Sequence, residues 1–256
     1  MLGSTGEAVL LDEDESDRTV AVARDAWPSA CTFIVGAGRE STAATIQAVR
    51  RAAALGADAV LVRTPGFYKS QMNTEAFVRH YTAVADASSI PMLLYNFTAV
   101  TGVNLLPEAV SRLSAHPNII GVKESGGDVA QIAEFVKGTP EGFSVLAGSA
   151  TTFYPALGAG ATGGILALSC VLPDACVRLF DLTRAGNHDE ASGLQHRLLA
   201  IAKLVGSMHG IAGLKAALKL VGCDVGGPRS PLAPVSDATV AVLREALVSF
   251  EEVALV

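Results

Sequence analysis

Lys123 stands in the run Asn118-Ile119-Ile120-Gly121-Val122-Lys123-Glu124-Ser125-Gly126-Gly127, at the end of a short apolar strand and just before a glycine turn. An amine so placed is suited to Schiff-base chemistry. Partial desolvation lowers a lysine pKa from its usual ~10.4 and frees the lone pair to attack a carbonyl. The competing reading is a solvated surface cation, so the neighbouring strand ends must be weighed with it. Tyr95 ends Pro91-Met92-Leu93-Leu94-Tyr95-Asn96, which can set its hydroxyl near a lysine on the next strand; otherwise it is a core tyrosine with a satisfied hydroxyl. Gly3-Ser4-Thr5-Gly6-Glu7 could turn several N–H groups and two hydroxyls toward a carboxylate, or be a plain glycine-rich turn. Gly148-Ser149 follows Val145-Leu146-Ala147 and either lets a ligand approach the backbone or makes a tight turn.

These positions need a scaffold that brings strand ends together. Short apolar runs alternate with Ala-rich helical stretches from the start to about residue 185. The expected strands are Thr32–Val35, Ala59–Val62, Met92–Tyr95, Ile119–Val122, Ser144–Ala147 and Gly164–Ala167, with Met1-Leu2 as the stub of another. Their apolar content suits parallel strands covered on both faces. Helices are expected near 12–27, 41–55, 74–88, 107–115, 128–137 and 150–158, the first opened by an Asp12/Glu15 capping box and the second stopped at Gly56. This spacing favours a (β/α)8 TIM barrel over residues 1–185. Helical stretches near 187–206, 211–222 and 236–250 then form a C-terminal extension over 186–256.

Composition restricts the partners. The chain has 256 residues, half of them apolar, and a net charge of −6, which argues for a small-molecule partner and against nucleic acid. No apolar run reaches the ~18 residues of a membrane span. Cys31, Cys170, Cys176 and Cys223 are scattered, as reduced core thiols would be, and point to a cytoplasmic setting, or a mitochondrial one if a longer N-terminus exists. His80, His116, His188, His196 and His209 show no ligand pattern; surface or interface roles are expected, and no metal. The acids Asp12 to Asp17 read as a solvated helix start.

Four motifs, Gly3-Ser4-Thr5-Gly6-Glu7, Tyr95-Asn96 followed by Thr101-Gly102, Lys123-Glu124-Ser125-Gly126-Gly127-Asp128 and Leu146-Ala147-Gly148-Ser149, fall in the order and spacing of one family. The chain resembles the dihydrodipicolinate synthase and N-acetylneuraminate lyase family along nearly its whole length. Within it, Ser125-Gly126-Gly127-Asp128, Leu194-Gln195-His196-Arg197-Leu198 and Gly210-Ile211-Ala212-Gly213-Leu214-Lys215 look most like 4-hydroxy-2-oxoglutarate aldolase. The resemblance implies that Lys123 forms an imine with a 2-oxo acid and that Tyr95 carries the proton of the 4-hydroxyl. It further implies that Ser4 and Thr5 hold the substrate carboxylate, that Ser125 and Gly148 line the pocket, that no cofactor is used, and that the assembly is a homotetramer. The reaction would release pyruvate and glyoxylate. Alternatives are a 2-keto-3-deoxy sugar acid aldolase, a dihydrodipicolinate synthase-like enzyme, or a noncatalytic 2-oxo acid binder.

Three features depart from the family pattern. Val100 stands where the synthases carry an arginine for the second substrate's carboxylate, and Phe67, beside Tyr68, stands where a relay tyrosine is donated across a subunit interface. The chain also begins two residues before the Gly-Ser-Thr-Gly-Glu motif, so the first βα unit is expected to be missing, leaving sheet edges to be covered.

Overall fold

In a computed structural model the described residues are 1–250; positions 251–256, the end of the expected 186–256 extension, lie outside them. The described residues divide into two units, one of Met1–Leu146 with Ala159–Thr162 and one of Ala147–Gly158 with the residues from Gly163 on.

The first unit is built on a parallel sheet in sequence order, β1 (Ile34–Gly36), β2 (Ala59–Arg63), β3 (Met92–Asn96), β4 (Ile119–Glu124) and β5 (Ser144–Ala147). The helices α1 (Glu13–Ala26), α2 (Thr42–Ala54), α3 (Thr74–Asp86), the single turn α4 (Thr98–Thr101), α5 (Pro107–Leu113) and α6 (Val129–Gly138) separate and precede the strands. This is the βα repeat the sequence calls for. Asp12 caps α1 in a reciprocal capping box with Glu15, and the side chains of Ser41, Asn73 and Asp128 cap α2, α3 and α6, so each start satisfies a backbone donor that would otherwise be orphaned. The acids Glu13, Asp14 and Glu15 occupy the first turn of α1, where the helix dipole favours them.

The register places Arg63 level with Tyr95, and Tyr95 level with Lys123. It depends on an irregularity in β4: Met92 pairs with Ile119 but Leu93 pairs with Gly121, which leaves Ile120 without a partner and exposed. One extra residue shifts every later side chain to the other face of the sheet. Lys123 therefore shares a face with Tyr95 rather than with Asn96. Gly121 is required at this step, because a Cβ there would stand 2.5 Å from the Ser144 carbonyl oxygen. Ala59, Leu61, Leu93 and Tyr95 pack together on the same face. Met1 lies alongside β1, its amino group bonded to the Ile34 carbonyl (2.6 Å) and its own carbonyl accepting from Gly36 N–H (2.8 Å).

The second unit is helical: α7 (Phe153–Gly158), a two-residue strand β6 (Gly163–Gly164), α8 (Pro173–Arg184), α9 (His188–Lys203), α10 (Gly210–Leu220) and α11 (Asp237–Val248). The buried Gln195 of α9 ties it to the entry of α7, accepting from Tyr154 N–H at 2.9 Å and donating to the Ala150 carbonyl at 3.0 Å. The structure adds α8, which the sequence reading passed over, and a π turn over Leu204–Met208 that links α9 to α10.

Two expectations are corrected. Only Cys176 of the four thiols is buried, Cys31, Cys170 and Cys223 being exposed, because the latter three lie at loop or helix-end positions outside the packed faces. His80 is not a surface residue: α3 presents it inward next to Phe77, Tyr81 and Val84, its Nδ1 meets Thr42 Oγ1 at 2.9 Å, and burial lowers its pKa to about 4, which keeps it neutral. Among the described residues no group of three or more His, Cys, Asp or Glu side chains is arranged to hold a metal ion.

Candidate active site

Lys123 is 8% exposed and its ammonium makes no ion pair or hydrogen bond among the described residues. Its Nζ lies 4.4 Å from the centroid of the Tyr95 ring. Burial lowers its pKa to about 8, with no carboxylate close enough to restore the charge. A measurable fraction of the amine is therefore neutral near pH 7, as a nucleophile needs to be.

Tyr95 is buried, and its hydroxyl meets Ser4 Oγ at 3.2 Å. Burial raises the phenol's pKa; the Ser4 and Ser125 hydroxyls oppose this and the Glu124 carboxylate adds to it, with a net upward shift. The phenol is thus held in its protonated, donor form. Ser125 Oγ is buried without a partner of hydrogen-bond geometry and acts on Tyr95 as a nearby hydroxyl dipole. A buried hydroxyl left free in this way has bonding capacity for a ligand.

The turn carrying Ser4 is bracketed by two non-glycine residues in the left-handed region, Leu2 (φ 51°) and Glu7 (φ 55°). Each costs of order 1–2 kcal/mol relative to an ordinary conformation. Inside the turn, Gly6 N–H bonds the Gly3 carbonyl and Glu7 N–H bonds the Ser4 carbonyl, whereas the N–H groups of Ser4 and Thr5 bond nothing among the described residues. Two free donors and a hydroxyl in one turn make a nest for an anionic oxygen.

The structure therefore brings Ser4, Tyr95, Lys123 and Ser125 together within the first unit. Thr5 is their neighbour in the same turn. Gly148 lies in the second unit, just after β5, next to Ser149, whose hydroxyl bonds Thr151 Oγ1 at 2.8 Å. Val100 is exposed in α4, and Phe67 (76% exposed) and Tyr68 (72% exposed) form an edge-to-face pair with centroids 5.1 Å apart.

Sequence reasoning missed the network on the opposite face of the same strands. Glu124 is 1% exposed and accepts from Asn96 Nδ2 (2.6 Å), Gln131 Nε2 (2.8 Å) and Gly126 N–H. Asn96 also bonds Asn104 Oδ1 (2.7 Å) and receives Leu105 N–H (2.9 Å), and Asn104 bonds Gln131 Oε1 (2.8 Å). Tyr95-Asn96 and Lys123-Glu124 are adjacent pairs on adjacent strands, so each catalytic candidate has a network residue directly behind it. The alternation of a strand is the signal that could have found them.

The model of the dihydrodipicolinate synthetase family matches residues 1–249. A 4-hydroxy-tetrahydrodipicolinate synthase of an Exiguobacterium species is 40% identical over 253 residues, covering 98% of this chain and 85% of the relative. The synthase of Pelobacter propionicus is 36% identical over 248 residues, covering 97% and 85%. Among solved structures, the dihydrodipicolinate synthase of Thermotoga maritima superposes with a TM-score of 0.92 at 33% identity, covering 97% of this chain and 85% of that one. A prophage protein of Escherichia coli K12 assigned to the same family, solved in complex with pyruvate, superposes with a TM-score of 0.91 at 28% identity, covering 98% and 86%. On the match along its length and the identity to these relatives, the chain belongs to the dihydrodipicolinate synthetase family.

Proposed function

We propose that the chain is a Schiff-base enzyme that carries pyruvate as an enamine on Lys123 and makes or breaks the bond between its C3 and a carbonyl carbon. The observation that supports this most is the buried, unpartnered Lys123 amine, with its pKa lowered to about 8, beside the Tyr95 and Ser4 hydroxyl pair. Neutral Lys123 attacks C2 of the 2-oxo acid and water leaves, giving a protonated imine. The cationic nitrogen draws electrons from the C3–H bond, and transfer of the C3 proton to solvent water gives the enamine. In the bond-forming direction C3 attacks the aldehyde carbon, which becomes C4, the Tyr95 hydroxyl gives its proton to the new oxygen, and a proton from solvent water restores Tyr95 by way of the Ser4 hydroxyl, which gives one proton as it takes another. Water then hydrolyses the imine and frees the lysine. The free N–H groups of Ser4 and Thr5 and the unpartnered Ser125 hydroxyl suit the substrate's carboxylate, and Gly148 is retained as a lining residue on the family pattern.

Two partners for the enamine are distinguished by separate observations. The relatives named 4-hydroxy-tetrahydrodipicolinate synthase, together with a Tyr95 held as a proton donor, support the synthase-type condensation. Val100, standing where an arginine would be expected to grip the second carboxylate, supports instead cleavage of 4-hydroxy-2-oxoglutarate to pyruvate and glyoxylate. In either case the exposed Phe67 and Tyr68 pair fits a homo-oligomer, read by sedimentation.

Borohydride with pyruvate should fix mass irreversibly on Lys123 and not on a Lys123→Ala chain. Failure of the wild type to react beside a competent control removes the proposal. Product analysis then separates the two partners: 4-hydroxy-tetrahydrodipicolinate formation marks the first and glyoxylate release the second.

A further inference from the structure

A cavity of about 220 Å³ in the first unit is lined by the Leu2-Gly3-Ser4 turn, Tyr95, and the side chains of Arg39, Glu40 and Arg63. It lies on the side of Tyr95 away from Lys123 in the strand order, since β2 carries Arg63 level with Tyr95 and β4 carries Lys123 level with it. Neighbouring strands are ~4.8 Å apart. Three consecutive strand ends thus present guanidinium, phenol and amine in one row on one face.

The two guanidinium groups are only partly engaged. Arg63 uses Nη1 alone, for Glu40 Oε1 at 2.7 Å and the Thr64 carbonyl at 3.2 Å, so its remaining donors are free. Glu40 is itself fixed: its Oε2 accepts from Gly66 and Phe67 N–H, both at 2.9 Å. Burial alone would raise its pKa, but the bonds from Phe67, Arg63 and Gly66 hold it lowered and ionised. Arg39 is half-buried, bonds only the Gly38 carbonyl at 3.2 Å, and pairs with no carboxylate among the described residues; Glu13 and Asp17 act on it from a distance. Two guanidinium groups against one carboxylate leave the cavity with one net positive charge. A desolvated positive pocket with free, planar, forked donors is suited to a carboxylate.

From this row we infer that Arg63 and Arg39 form a second carboxylate subsite, which makes the chain select dicarboxylic 2-oxo acids of five carbons. The inference rests on the Schiff-base reading of Lys123. A substrate tethered through C2 at Lys123, with its C4 oxygen at Tyr95, extends its C5 carboxylate toward Arg63 in the order of the three strands. The subsite supplies, from β2 and the loop after β1, the grip that position 100 does not offer.

The test uses 2-oxoglutarate, which has both carboxylates but no 4-hydroxyl to react, and 2-oxopentanoate, which has the same length without the second carboxylate. Borohydride trapping at Lys123 is measured as a function of the concentration of each, with pyruvate as the control. The wild type should be half-trapped at a 2-oxoglutarate concentration on the order of tenfold or more below that of 2-oxopentanoate, the range expected of a charge-assisted pair. In Arg63→Gln and in Arg39→Gln that ratio should fall toward one. Arg39→Gln breaks no ion pair, and it keeps the test sound if loss of the Glu40 partner unfolds the Arg63 variant. A wild-type ratio near one, or a ratio untouched by Arg39→Gln, overturns the subsite while pyruvate trapping leaves the Schiff-base reading intact. Absence of trapping by all three acids overturns both.

Discussion

At Lys123 the decisive quantity is the cost of keeping an ammonium in a dry place with no counter-ion. Because burial lowers the pKa from 10.5 to about 8, the folded chain favours the neutral amine over a pH range where an unfolded lysine stays charged. Imine formation needs the neutral form, so the rate of trapping at sub-saturating pyruvate, which reports the free amine, should rise with pH through a midpoint near 8 and level off above it. A midpoint above 10 would mean a solvated lysine. Tyr95 is perturbed in the opposite sense: burial keeps its proton on. Tyr95→Phe should lower turnover by roughly 10²- to 10⁴-fold, the usual range for a lost acid-base group, while borohydride and pyruvate still label Lys123. A variant that keeps full turnover would move the proton step elsewhere. Lys123 and Tyr95 were legible in the sequence because a polar residue at the end of an apolar run stands out. Ser4 was legible only as part of a possible nest, since its bond to Tyr95 joins residues 91 positions apart. Arg39 and Arg63 carried no local signal at all; a guanidinium following a glycine turn or ending a strand reads as surface until the register shows what it faces.

Among the elements, β4 has the most influence on the site, and it does so through a defect. The sequence shows Ile119–Val122 as a plain apolar strand, and that reading located it well. What it could not show is that Ile120 drops out of the ladder between the pairs Met92/Ile119 and Leu93/Gly121. Periodicity in so short a run does not reveal a bulge, because every residue in it is apolar or glycine. The bulge decides which face Lys123 uses. Deleting Ile120 should make Met92/Ile119 and Leu93/Gly121 consecutive pairs and leave Lys123 level with Tyr95, so pyruvate trapping and the far-UV helical signal should both be retained. Loss of trapping with the helical signal intact would show that the bulge places Lys123 by more than its register. The first turn is held as tightly: a Cβ at Gly36 would collide with the Leu2 carbonyl. Gly36→Ala should therefore displace the Met1–Ser4 segment and weaken the Ser4–Tyr95 contact, seen as a slower turnover with a helix content like that of the parent. Starts of the helices that carry side-chain caps, such as those after Asp12, Asn73 and Asp128, were read from sequence to within a residue or two, since such caps are local chemistry. Helix α8, which the sequence reading gave no element, opens on Pro173, whose missing N–H costs nothing at a first helical position.

For the molecule as a whole, the net charge of −6 opposes the anion that the site is built to receive. The two effects act over different distances, so ionic strength separates them. Six charges at an effective ~20 Å in water repel a monoanion by about 1.2 kcal/mol without salt, and screening cuts this to about 0.6 kcal/mol at ~10 mM salt and about 0.2 kcal/mol at ~100 mM, as the Debye length falls from ~30 to ~10 Å. The attraction of the one net positive charge at the Arg39, Arg63 and Glu40 cavity is a short-range effect of one charge and loses less in absolute terms over the same interval. Repulsion therefore dominates for pyruvate, which carries no second carboxylate to pair with Arg39 or Arg63. The rate of trapping at sub-saturating pyruvate should rise by up to about twofold over this range of salt, measured by quenching timed samples with borohydride and weighing the intact chain. The opposite sign, a rate that falls with salt, would show that local positive charge governs the approach of the substrate and that the acidic composition, for all its size, is spread too far from the site to matter.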